Sequence, residues 1–124
     1  MNELTKAWLA ALRSGEFKQG RDALRKGDEW CCLGVLCEVA RRANLTTRYW
    51  VQSWPHDAYE FIASPPPEDE LTSVINMPPK SILELAGIDF PFSMRLALYN
   101  DDGTTTFEDI ATIIEEEVQK GGKS

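Results

Sequence analysis

The chain has 124 residues, 43% of them hydrophobic, which fits one domain with a real core and excludes a disordered tail. Its net charge of −7 argues against general affinity for nucleic acid or anionic membrane, because both demand a surplus of Lys and Arg. No run reaches the ~18 apolar residues of a membrane span, and Glu3 in an amphipathic N-terminus does not suit a signal peptide, so a cytoplasmic protein is expected.

The charge is uneven. Residues 1–50 hold nine Lys/Arg against six Asp/Glu, a net of +3, and residues 51–124 hold four against fourteen, a net of −10. Two surfaces of opposite sign can each select a partner, although a solvated acidic tail gives the same totals.

Residues 3–14 read as an amphipathic helix: Leu4, Ala7, Trp8, Ala11 and Leu12 form its stripe, Asn2 can cap it and Gly15 can end it. Residues 16–30 are basic and broken by Gly20 and Gly27, which suits two short strands or an ordered loop closing on Trp30. Residues 31–43 are apolar almost all round and predict a buried central helix, with Arg41 and Arg42 at its negative C-terminal end. Residues 47–63 read as a hairpin: Thr47, Tyr49, Trp50 and Val51 favour extended structure, as do Tyr59, Phe61 and Ile62, with the turn at 53–57. Residues 64–70 read as a Pro-stiffened acidic linker within the domain. Residues 70–76 suit strand or helix equally. Pro78-Pro79 opens a short helix to Ala86, stopped by Gly87, and a further short helix spans Met94–Tyr99. Asn100-Asp101-Asp102-Gly103 reads as a turn. Thr106 and Asp109 then start the last helix with a capping-box-like pair, and residues 120–124 fray. The expected fold is a single α+β domain over residues 1–124. Four to five helices surround the buried central helix, beside a short antiparallel hairpin or sheet.

Cys31, Cys32 and Cys37 share the central helix. Cys32 and Cys37 lie ~140° apart around it, so they neither bridge nor converge on a metal. They read as small buried hydrophobes. With Gly103 at the sixth position of a calcium loop, Asn100 and Asp102 fall on ligand positions, but Leu98 takes the entering one and Asp109 replaces the long bidentate Glu. No cofactor or metal is expected. The acidic runs, Glu68-Asp69-Glu70 among them, read as solvated surface. No triad, zincin, Walker or dinucleotide fingerprint is present. Leu96–Val118 resembles two helices of a helix-turn-helix, but Glu115–Glu117 follow where a DNA reader needs a basic helix.

Lys18, Gln19, Arg21 and Arg25 lie among glycines, with Trp30 beyond them. Arg with an aromatic face suits a nucleotide-like ligand, and the competing reading puts the aromatics in the core and the charges in solvent. Trp54 and His56 at the hairpin turn, with Glu68, Asp69 and Glu70, are the candidate partner-contact residues.

Trp8–Gly20, Leu24-Arg25 and Trp30-Cys31-Cys32-Leu33-Gly34-Val35-Leu36-Cys37 resemble small uncharacterised proteins of tailed bacteriophages and prophages. So do the Pro-led helix ending in Ala86-Gly87, the run Leu98–Gly103 and Phe107–Ala111. Together these span roughly two thirds of the chain, leaving out residues 45–75. That family has no established activity, so no residue role carries over. The resemblance implies a non-enzymatic phage accessory protein that binds a host protein, for example a defence component such as a CRISPR effector. A sponge for a nucleotide-like signal and a DNA-binding regulator are the alternatives.

Overall fold

The computed structural model describes residues 2–21, 23–52, 59–62, 78 and 80–121. In chain order it has α1 (Glu3–Ser14), β1 (Lys18–Gln19), β2 (Arg25–Lys26), β3 (Glu29–Trp30), α2 (Cys32–Arg42), β4 (Tyr49–Gln52), β5 (Tyr59–Ile62), α3 (Lys80–Ala86), α4 (Phe90–Asp101) and α5 (Phe107–Gly121). It is a small single-domain α+β fold, as the sequence patterning predicts.

α2 is the centre. Every residue from Cys32 to Ala40 is buried, and the helix touches α1, α3 and α4. α1 lies between α2 and α5, with Trp8 fully buried and its Nε1 donating to the Cys32 carbonyl at 2.8 Å. That contact satisfies a large indole, whose N–H would be costly to bury alone. Both predicted glycine stops, Gly15 and Gly87, take left-handed backbone at φ 78° and 75°.

The start of α1 closes the end of α3. Asn2 Oδ1 accepts from Thr5 N at 2.8 Å, and its Nδ2 donates to the Leu85 carbonyl at 2.9 Å. Thr5 Oγ1 lies 2.9 Å from the Ala86 carbonyl. One cap therefore serves two helix ends that would otherwise leave polar groups unpaired.

Several expectations need correcting. The small sheet is mixed: β3 lies between β1 and β2, parallel to the first and antiparallel to the second. The antiparallel hairpin of β4 and β5 is a separate sheet, pairing Trp50 with Phe61. α4 begins at Phe90, not Met94, because Asp89 caps it through Phe92 N at 2.9 Å and Pro91 suits a first helical turn. Asn100 and Asp101 belong to α4 rather than to a turn, and α5 continues to Gly121. The capping box of α5 is reciprocal: Asp109 N donates to Thr106 Oγ1 at 3.2 Å and Thr106 N to Asp109 Oδ2 at 3.1 Å. The predicted turn at 53–57, linker at 64–70 and element at 70–76 lie outside the described residues.

Candidate functional site

The basic segment is bound into the fold at four separate places. Lys18 pairs with Glu29 at 3.5 Å, both exposed. Gln19 Nε2 donates to the Thr105 carbonyl at 2.9 Å and to Asn100 Oδ1 at 3.2 Å. Arg21 lies against Gly103, where a Cβ would stand 3.1 Å from its Nη2. Arg25 crosses to the hairpin, with its guanidinium 4.0 Å from the Tyr59 ring centroid and 4.7 Å from that of Trp30. Of the predicted ligand residues, then, only Arg25 and Trp30 stack on each other. The predicted partner-contact residues Trp54, His56, Glu68, Asp69 and Glu70 lie outside the described residues.

The aromatics form a row. Phe17 meets Trp30 edge-on at 5.2 Å, Trp30 meets Trp50 edge-on at 5.4 Å, and Trp50 meets Phe61 at 4.6 Å. Such geometries suit the ring quadrupoles. Trp50 Nε1 donates to Glu38 Oε1 at 2.9 Å, which fastens the hairpin to α2. Glu38 also takes a two-pronged pair from Arg41 at 2.7 Å and a bond from Arg42 Nε at 2.9 Å. Burial pushes the Glu38 carboxyl up, but the donors from Arg41, Trp50 and Arg42 outweigh it and hold the group down at about 2. Arg48, also buried, donates to the Phe61 carbonyl at 3.4 Å.

The three thiols are buried and free. Cys31 caps α2, with Sγ accepting from Gly34 N at 3.3 Å. Burial pushes the Cys31 thiol up to about 12, and burial likewise holds Cys32 and Cys37 well above the usual thiol range. At neutral pH these sulfurs are protonated packing atoms.

One polar residue that sequence reading missed is Asn100, only 1% exposed. Its Nδ2 donates to the Gly20 carbonyl at 2.7 Å, and its Oδ1 accepts from Cys32 N at 3.2 Å. It joins the strand segment, the start of α2 and the end of α4. Nearby, Asp102 accepts from the backbone N–H groups of Thr104 and Thr105 at 2.7 and 2.8 Å and from both hydroxyls. The hydrogen bonds from Thr105 and Thr104 hold its carboxyl at about 2. This is turn chemistry, and among the described residues no cluster of three His, Cys, Asp or Glu side chains could hold a metal ion.

Among the described residues, the outer face of α4 carries a row of exposed apolar side chains. Phe90, Met94 and Leu98 follow at i, i+4 and i+8 and are 55%, 47% and 70% exposed, while Phe92, Leu96 and Asn100 face inward. α4 is thus apolar on both sides. Pro91 and Arg95, one residue on from Phe90 and Met94, edge an open groove of about 570 Å³ that runs to α5 and the start of α1. Arg95 lies in its wall, paired with Glu117 at 2.9 Å.

Fold and surface together define a small α+β domain that, among the described residues, carries an exposed apolar stripe on α4. The chain belongs to DUF8296, a domain of unknown function, which it matches over residues 1–118. No curated protein and no solved structure matches it. Among the described residues, no helix is long and apolar enough to cross a membrane.

Proposed function

We propose that this chain acts by binding a protein partner through α4, without chemistry of its own. The observation that carries this reading is the exposed stripe Phe90–Met94–Leu98. Single exposed apolar residues are ordinary, but a contiguous aromatic and aliphatic stripe on one helix is what partner surfaces use. Among the described residues, several side chains suited to chemistry are taken up by the fold: Glu38 by two arginines and an indole, the thiols by the core, and exposed Asp102 by its own turn.

The resemblance to phage and prophage proteins supports a bacterial host component as the partner, in the cytoplasm, with a defence effector as the specific expectation. A nucleotide sponge would require Gln19 and Arg25 to leave their present partners. A DNA-reading α4–α5 unit would bring Glu115–Glu117 towards phosphate.

Placing a photo-crosslinking amino acid at Leu98, and separately at exposed Thr112 on α5, tests the reading in host cells. A defined heteromeric adduct from position 98 and none from 112 is expected. No adduct from 98, or equal adducts from both, would overturn it.

A further inference from the structure

The occupant of α4 can be narrowed by charge and shape, an inference that rests on the binding role argued above. Residues 80–121 carry three Lys/Arg and nine Asp/Glu, a net of −6. Lys80 pairs with Glu84 at 3.9 Å and Arg95 with Glu117 at 2.9 Å, while Arg13 of α1 reaches Glu108 and Glu115 at 3.7 and 3.3 Å, so the acids of this segment stay in excess after its ion pairs are counted. The C-terminal end of α4 adds the negative end of its dipole to exposed Asp101 and Asp102, just beyond Leu98. An oily ridge therefore stands in an anionic surround.

The ridge has the geometry of a helix-packing surface. Its three side chains lie on one i±4 row, about 12 Å long at 1.5 Å rise per residue. Pro91 and Arg95, each next in sequence to a ridge residue, edge the groove that flanks the N-terminal part of the row. We infer that α4 receives a basic amphipathic helix of another protein, aliphatic on its docking face and flanked by Lys and Arg. A second copy meeting this face with its own α4 would bring an equal negative charge to the contact, and three side chains fall well short of the roughly 800 Å² per partner of a stable dimer. An anionic lipid surface would be repelled in the same way.

The test uses the full chain and a synthetic 18-residue Leu/Lys amphipathic peptide, with its Leu/Glu counterpart as control, followed by calorimetry. The Leu/Lys peptide should bind, and the Leu/Glu peptide should not. Leu98→Glu and Met94→Glu, checked for fold by circular dichroism, should each weaken binding by about 10-fold or more. Both substitutions add negative charge, so simple electrostatic capture predicts tighter binding; unchanged or tighter binding overturns the inference. Equal binding of the Leu/Glu peptide overturns it too. So does sedimentation that shows a dimer dissolved by Leu98→Glu, which would assign the face to a second copy. An adduct at position 98 to a segment that is not a basic helix would sink this inference and leave the binding role standing, whereas no adduct would sink both.

Discussion

The carbonyl of Leu24 rests directly on the backbone of Gly34. A Cβ added to Gly34 would overlap the Leu24 oxygen and stand 2.7 Å from its carbonyl carbon. The same oxygen accepts from Cys31 N at 3.1 Å, so it cannot retreat without breaking a bond at the start of α2. Gly34→Ala should raise intrinsic helix propensity by about 1 kcal/mol and still destabilise the protein by about 2 kcal/mol or more. Urea unfolding of the two proteins measures the difference, and a neutral or stabilising result would refute the close approach.

Asn100 holds three segments with one amide. Asn100→Leu leaves the Cys32 N–H and the Gly20 carbonyl buried without that partner. Asn100→Asp keeps an acceptor for Cys32 but sets a carboxylate against the Gly20 oxygen. Each should cost about 2–4 kcal/mol by denaturant titration. Gln19→Ala, which removes only a half-buried side chain from the same network, should cost about 1 kcal/mol. Equal costs would show that the amide is not the centre of the network.

Glu38 makes stability depend on acid. Its folded carboxyl sits at about 2, below the ordinary 4.5, so the native state binds fewer protons than the unfolded chain between those values. The contribution is complete above pH 4.5 and is lost as pH falls towards 2. Its size is on the order of 2–3 kcal/mol. Denaturation midpoints measured from pH 6 to pH 2 should fall more steeply in the native protein than in Glu38→Gln. Tryptophan emission should shift in that variant, because Trp50 donates to this group. Parallel profiles would exclude the pair network as a source of acid sensitivity.

The thiols should be silent until the fold opens. All three are buried and held protonated, so iodoacetamide at pH 8 should modify them at least about 1,000-fold more slowly than in denaturant, following the unfolded population. Rapid modification of any one in the native state would contradict the packing role.

The helices that the sequence announces are those with one apolar face and a local cap: Asn2 for α1, Thr106 with Asp109 for α5. α2 was legible for the opposite reason, its lack of a polar face. Only the middle of α4, Met94–Tyr99, was legible, because the helix is apolar towards both core and solvent, which erases the stripe; Asp89 before Pro91 was the readable signal for its start. The mixed sheet was not legible, since two-residue strands carry no period. Asn100 sits in a sequence with turn chemistry, and only its distant partners, Gly20 and Cys32, reveal its role. Glu38 could have been read from Arg41 and Arg42 at i+3 and i+4, but not its bond from Trp50. The candidate site stayed hidden for the same reason as the ends of α4: in the sequence Phe90, Met94 and Leu98 are not distinguished from Phe92 and Leu96, which fill the core.

The hairpin of β4 and β5 shares no backbone ladder with the three-stranded sheet; it is fastened by Trp50 on Glu38, by Phe61 in the core and by Arg25 across Tyr59. An attachment made of side chains leaves the pairing of Tyr49–Gln52 with Tyr59–Ile62 independent of the register of the three-stranded sheet. The hairpin can accordingly shift its seat relative to that sheet over evolutionary time, provided that the few anchoring side chains persist.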